Sequence, residues 1–280
     1  MMDISSAIDG IERACAERIK AEQGDYILDG LLHCGKCHTP KQCRIFILDK
    51  ERTPMCLCKC ETEKREKEEA ERQRIKFLEY VARLRREAFP ESTMQEWTFE
   101  VDDQSNEKIS RIARNYFANF DKMRQDGKGL LLFGNVGTGK TFAAACIANA
   151  VIDRGIPVLM TNFARIANTV QGMFEGRQAY YDSLNRYPLL ILDDLSAERK
   201  TEYMQEIVYN VIDARYRAGL PLIVTTNLTA DELKHPAEVT NQRTFSRLFE
   251  MCLPIKVEGE DRRRAKLKDT HREYMDLLDC

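Results

Sequence analysis

The sequence predicts an α/β protein in which a parallel sheet is flanked by helices, preceded by a small cysteine-rich module and a charged helical linker. Three observations predict it. Short aliphatic runs at residues 130–133, 158–160, 189–192 and 222–226 alternate with stretches of helical period. That is the pattern of strands buried on both faces, with a helix between each and the next. Directly after the first run stands Gly134-Asn135-Val136-Gly137-Thr138-Gly139-Lys140-Thr141, bridging a strand to an alanine-rich helix. Finally, six of the ten cysteines fall between Cys34 and Cys60, ahead of the alternating pattern. The 280 residues leave room for one ordinary domain and a small one. The boundaries expected are 1–60 for the module, 61–90 for the linker and 91–280 for the α/β domain.

The bulk properties exclude several classes. Formal net charge is −2, so nucleic-acid contact would have to come from a local patch and not from a global basic surface. The N-terminus carries Asp3, Asp9 and Glu12 and no apolar core segment, which is not the pattern of a signal peptide. No run approaches the ~18 apolar residues of a membrane span. Ten cysteines without an export signal point to a reducing cytoplasm, and to thiols or metal in place of disulfides.

Residues 4–19 read as an amphipathic helix with Ile4, Ile8, Ile11 and Cys15 along one face. The module follows. Cys34-Gly35-Lys36-Cys37 is a knuckle in which two thiolates grip one tetrahedral Zn²⁺, and a second pair closes the site. That second pair comes from Cys56, Cys58 and Cys60. The preferred set is Cys34, Cys37, Cys58 and Cys60, with Cys56 possible and His33 and His38 beside the knuckle as substitutes. Four protein ligands leave no open position, so the zinc is structural, and a module this small needs it to fold.

From residue 61 onward, acidic and basic residues alternate at helical spacing with almost no apolar residue, as in a solvated helix laced with i,i+4 pairs. An apolar stripe then appears at Phe77 or Leu78, Val81 and Leu84, and Pro90 ends the helix. Arg83, Arg85 and Arg86 are either solvated or in contact with a partner or nucleic acid. Trp97 and Phe99 lie just ahead of the α/β core, where an aromatic packs either in the core or near a nucleotide base. Residues 107–124 read as a helix closed by Asp126-Gly127.

The glycine-rich stretch carries the chemistry. Its glycines let the backbone wrap a polyphosphate with N–H groups pointing inward. Lys140 reaches the β- and γ-phosphates of ATP or ADP, the Thr141 hydroxyl holds Mg²⁺, and the helix over 141–154 aims its positive end at the same anion. Gly155 and Pro157 stop that helix. A helix is expected over 163–174. Pro188-Leu-Leu-Ile-Leu-Asp193-Asp194 is a Walker B pattern: Asp193 holds Mg²⁺, directly or through water, and Asp194 polarises the attacking water. Thr201 caps a helix running to residue 218, with Met204, Ile207, Val208, Val211 and Arg215 along one face. The strand over 222–226 ends in Asn227, which suits a γ-phosphate sensor beside Asp194. A helix over 242–252 carries Arg243 and Arg247 one turn apart. This fork either reaches the γ-phosphate bound by a neighbouring subunit or forms an internal salt bridge. Residues 253–257 read as a last strand and 260–278 as a charged tail helix, where Arg262, Arg263 and Arg264 are solvated or contact nucleic acid.

Taken together, the run Gly129 to Thr141, Leu-Ile-Leu-Asp-Asp194, Val-Thr-Thr-Asn227 and Arg243-Thr-Phe-Ser-Arg247-Leu resemble the bacterial DnaC/DnaI-type helicase loaders, AAA+ ATPases close to the transposition helper IstB. The resemblance is strong over 91–260. Cys-Gly-Lys-Cys-His-Thr-Pro with Cys-Lys-Cys60 resembles the zinc-binding front of the Firmicute-type and phage-type loaders. The resemblance implies a front domain that grips a hexameric replicative DNA helicase. It also implies AAA+ domains that self-associate and bind single-stranded DNA, and ATP hydrolysis that accompanies release. The tandem Asp pair departs from the Asp-Glu common in AAA+ proteins but agrees with this branch. Two other readings stand beside it: an IstB-like ATPase helper of a transposase, which usually lacks a cysteine-rich front, and a zinc-ribbon nucleic-acid-binding nucleotide switch.

Overall fold

The computed structural model describes residues 10, 21–47, 50–173, 175–195, 201–236, 239–262 and 274, with the side chains of 239 and 240 excepted. All but residue 10 of the helix expected over 4–19, and all but residues 260–262 and 274 of the tail helix, lie outside the described residues, Arg263 and Arg264 among them. The chain divides into two compact units, Met1–Leu78 and Glu79–Cys280.

The first unit is built on two short hairpins. β1 (Tyr26–Leu28) pairs antiparallel with β2 (Leu31–His33), and β3 (Ile45–Ile47) with β4 (Lys50–Arg52). Asp29 and Gly30 turn the first hairpin with φ of +51° and +78°. Asp-Gly is the pair that a two-residue hairpin turn favours, because both positions need positive φ. A buried pair ties the knuckle to the chain before it. Asp25 accepts from Lys41 Nζ at 2.6 Å and from the backbone N–H of Gly35 at 3.0 Å. Lys41 holds the Asp25 carboxyl down at about 2.

Helix α1 (Lys59–Ala88) begins in the first unit and ends in the second. Its first turns carry the expected pairs, among them Arg65–Glu61 at 3.5 Å and Lys64–Glu68 at 3.9 Å. Its last turns bury Val81, Leu84 and Ala88. Arg85 pairs with Asp153 and Arg83 lies over the Tyr80 ring, so two of the three basic positions have partners within the chain.

The second unit follows the alternation in the sequence. A 3₁₀ turn (Ser92–Glu96) leads to α2 (Glu107–Ala118) and α3 (Phe120–Gln125). Then come β5 (Gly129–Phe133), α4 (Lys140–Asp153), β6 (Val158–Asn162), α5 (Phe163–Gln171), α6 (Arg177–Ser183) and β7 (Leu189–Asp193). After these follow α7 (Glu202–Ala218), β8 (Leu222–Thr226), α8 (Ala230–Lys234), α9 (Val239–Met251) and β9 (Cys252–Lys256). The five strands lie in the order β6-β7-β8-β5-β9, all parallel. One core layer packs α2, α4 and the end of α1 on the sheet, and the other packs α5, α7 and α9. Four of the strands are buried along most of their length, as their unbroken aliphatic runs require.

The helix expected over 107–124 is two helices. Asn119 breaks it, with φ −104° and ψ 18°: its side chain donates to the Asn115 carbonyl at 2.9 Å beside its own backbone N–H, and the turn delivers Phe120 into the core. The helix expected over 163–174 stops at Gln171, with Gly172 as its cap. The helix expected over 242–252 starts earlier, at Val239, and the last strand one residue earlier, at Cys252. Thr201 caps α7 as expected, accepting from the Met204 N–H, and Gly219 ends it at φ +63°. No helix among the described residues is long and apolar enough to cross a membrane.

Candidate functional site

The carboxyl ends of β5, β7 and β8 meet at one pocket of about 550 Å³, where ligands bind in open parallel sheets. It is lined by Val136 to Gly139 from the loop after β5 and Lys140 to Phe142 from α4, by Asp193 of β7 and Asp194 just after it, and by Thr225 of β8 and Asn227 just after it. Glu96, Trp97, Val101, Asp103 and Arg262 form the rest of its wall. Gly134 and Asn135 belong to the same loop, where their carbonyls accept from Lys140 Nζ at 2.8 and 2.6 Å.

The loop needs its glycines. Gly137 has φ +77°, and a Cβ there would sit 1.9 Å from Asp261 Oδ1; Gly139, with φ +93°, begins α4 in the left-handed region. The loop's N–H groups and the positive end of α4 suit a polyphosphate. The Lys140 ammonium, 6% exposed and bonded to the loop's own carbonyls, is a cation held where phosphate oxygens could replace those acceptors. The donor set fits a Mg²⁺ nucleotide.

The acidic side of the pocket is a connected network. Asp193 Oδ1 accepts from Thr225 Oγ1 at 2.7 Å, and the Asp194 N–H donates to that same oxygen at 2.9 Å. Asn227 Nδ2 donates to Asp194 Oδ1 at 3.2 Å. Asn227 therefore stands beside Asp194, as its strand-end position implied. The sequence reading passed over Thr225, because nothing local marks it; its role depends on how β7 and β8 stand side by side.

Trp97 lines the pocket, 5.8 Å from the Phe142 ring, and is held there by Asn149 of α4. That side chain is fully buried and donates to the carbonyls of Met94 and Trp97, each at 2.9 Å. Phe99 instead packs against Phe117 with Arg114 over its face, the core role of the two open to it. Arg262 donates to both Asp103 oxygens at 2.7 Å and lies over the Phe142 ring. Backbone hydrogen bonding within its own loop, chiefly from Ser105, keeps the Asp103 carboxyl below its ordinary range.

Neither Arg243 nor Arg247 lines this pocket. Arg247 bonds Asp213 at 2.8 Å and lies over the rings of Tyr209 and Tyr216, so the internal salt bridge is formed. Its Nη1 is buried without a hydrogen-bond partner. Arg243, one turn earlier, is exposed.

In the first unit the sulfurs of Cys34, Cys37, Cys58 and Cys60 lie within 4.8 Å of one another. Cys34–Cys60 is 3.6 Å and Cys58–Cys60 3.3 Å. Tetrahedral Zn–S bonds of about 2.3 Å place sulfurs about 3.8 Å apart, so the four thiols fit zinc. Cys56 is outside the cluster, its thiol directed at the Pro40 carbonyl. His33 and His38 are outside it too, bonded to the Leu31 carbonyl and the Tyr26 hydroxyl.

Comparison with known proteins agrees with this geometry. The replicative helicase loader DnaI of Bacillus subtilis is 30% identical over 181 residues, which is 59% of this chain and 56% of DnaI. A putative insertion sequence ATP-binding protein of Sinorhizobium fredii is 29% identical over 196 residues, 65% of this chain and 62% of that protein. Each match spans less than two thirds of the relative's own length. A crystal structure of DnaI has the same fold, with a TM-score of 0.51 and 24% identity over 64% of this chain and 99% of that one. The five-stranded parallel sheet shares the fold of that structure. The family model described as IstB-like ATP binding protein matches residues 62–270. With three quarters of its length under that model, the chain belongs to the IstB-like ATP binding proteins.

Proposed function

We propose that the chain is an ATPase that loads a replicative DNA helicase onto single-stranded DNA. The observation that carries the ATPase is the meeting of Lys140, Thr141, Asp193, Asp194 and Asn227 around one pocket. Lys140 exchanges the loop carbonyls for β- and γ-phosphate oxygens. Thr141 and Asp193 hold Mg²⁺, which when bound draws charge from the phosphate oxygens. Asp194 accepts a proton from the attacking water, and Asn227 keeps that carboxylate aimed at it. Arg247 and Arg243 do not line their own pocket, and their target is a neighbouring subunit's γ-phosphate in a self-associated assembly.

The loader role rests on the similarity to DnaI together with the cysteine module. Cys34, Cys37, Cys58 and Cys60 hold a structural Zn²⁺, and residues 1–60 grip a hexameric helicase in the cytoplasm. Residues 61–90 are a spacer, and residues 91–280 turn over ATP and contact single-stranded DNA. The similarity to the insertion sequence protein supports a second reading, a helper of a transposase. Co-purification with the host's replicative helicase tests both, using the full chain and a chain starting at residue 79. Capture by the full chain alone is the expected result. Capture by neither chain overturns the loader reading in favour of the transposase helper.

A further inference from the structure

The end of β8 holds the end of β7 through one side chain. Thr225 is 2% exposed. A hydroxyl has one proton and two lone pairs. Here the proton goes to Asp193 Oδ1, and a lone pair takes the Asp194 N–H. The backbone carbonyl of Thr225 accepts from the Leu195 N–H at 2.8 Å. Three successive residues, Asp193, Asp194 and Leu195, are therefore tied to Thr225. The middle one needs it most: Asp194 has φ +55°, in the left-handed region that side-chain-bearing residues seldom adopt. The strand ends in that turn, and the turn aims the Asp194 carboxylate at Asn227.

We propose that Thr225 is a positioning residue for ATP hydrolysis: its hydroxyl sets both the rotation of the metal-binding Asp193 and the left-handed backbone that presents Asp194 to the attacking water. The proposal rests on the ATPase reading above. One oxygen thus couples the metal site to the water site. A valine at 225 has the same shape and does neither: Asp193 loses its orienting donor, and the Asp194 N–H loses its acceptor.

The test compares wild type with Thr225→Val, Thr225→Ser and Thr225→Ala in the full chain. Two quantities are read: binding of methylanthraniloyl-labelled ADP with and without Mg²⁺, and the turnover of ATP against Mg²⁺ concentration. Thr225→Val is expected to bind labelled ADP like wild type when Mg²⁺ is absent. Its Mg²⁺ requirement rises and its kcat falls, each by about 10- to 100-fold, the usual effect of removing a hydrogen bond to a metal ligand. Thr225→Ser recovers most of both. Should Thr225→Val not fold, Thr225→Ser and Thr225→Ala, which differ by one oxygen, carry the same comparison. Wild-type Mg²⁺ dependence and kcat in Thr225→Val, or in Thr225→Ala, overturn the proposal, as does a Thr225→Ser protein no better than Thr225→Ala. Wild-type protein that binds labelled ADP yet never hydrolyses ATP overturns the ATPase reading instead.

Discussion

Replacing Arg215 with methionine should cost the second unit about a fifth to three fifths of its stability. The guanidinium is 1% exposed and lies near the starts of β7 and β8. It donates to the Pro221 carbonyl at 2.7 and 3.1 Å, to Tyr187 at 2.9 Å and to Pro188 at 3.1 Å. Methionine keeps the volume and orphans three carbonyls, at about 1–3 kcal/mol each, or about 6 kcal/mol in all. Against this, burial pulls the guanidinium down to about 10 from its ordinary 12.5. At about 1.4 kcal/mol per pH unit, removing the charge returns about 3 kcal/mol. The net loss is about 3 kcal/mol, against a total of about 5–15 for a typical domain. Urea unfolding of the full chain, followed by the emission of its single tryptophan, Trp97, reads the second unit alone. With a slope of about 2 kcal/mol per molar, the midpoint falls by about 1.5 M. Arg215→Lys should fall between, because one ammonium does not span three carbonyls. A midpoint for Arg215→Met within about 0.3 M of wild type would refute the account of Arg215 as a clamp.

Four further outcomes are expected. Lys140→Ala weakens nucleotide binding by about 2–4 kcal/mol, or roughly 30- to 1000-fold in Kd; unchanged affinity by equilibrium titration would remove the assigned site. Arg247→Ala binds ADP normally but loses about 10³-fold in the hydrolysis that rises with protein concentration; a normal concentration dependence would leave Arg247 with only its Asp213 bond. Metal analysis of the purified chain should give one zinc, absent in Cys58→Ser, and helicase capture should disappear with the metal while labelled ADP still binds. Capture that survives verified zinc loss would exclude the module as the grip. Asp25, held at about 2 against an ordinary 3.8, stabilises the first unit above pH ~4, and that contribution fades as pH falls from there toward ~2. Amide NMR of the hairpins should show Asp25→Asn insensitive over that window, and an unchanged acid response would assign it to other carboxyls.

The parts of the site that were legible in the sequence are those whose chemistry is written in consecutive residues. The phosphate loop, the tandem aspartates and the strand-end Asn227 each announce themselves within a few positions. So does the knuckle, and the preferred four cysteines are the four that converge. Arg215 was placed correctly on the buried face of α7 by its spacing from Val211, though its three carbonyl partners were not foreseeable. Thr225 and the Asp103–Arg262 pair were illegible for a common reason: each acts on residues distant in the chain, 32 positions away for Asp193 and 159 for Asp103. The hairpin at Asp29-Gly30 did carry its turn signal, but three-residue strands show too little alternation to support it. Asn119 is the opposite case, a helix breaker hidden inside a strong helical period.

The phosphate loop is local in sequence but not in its support. The Val257 N–H bonds the Phe133 carbonyl at 2.8 Å, the Arg262 N–H bonds Gly137 at 3.1 Å, and Asn106 donates to the Glu258 carbonyl at 2.8 Å. The segment after β9 thus seams the loop to the chain that precedes α2. Contacts this distant close late in folding, because the intervening chain must be ordered first. A nascent chain that has emerged only through Asn227 contains the phosphate loop, both aspartates and the strand-end Asn yet lacks the seam. Competence to bind nucleotide then arrives with the segment that follows the last strand, and a labelled nucleotide reports that this seam has closed.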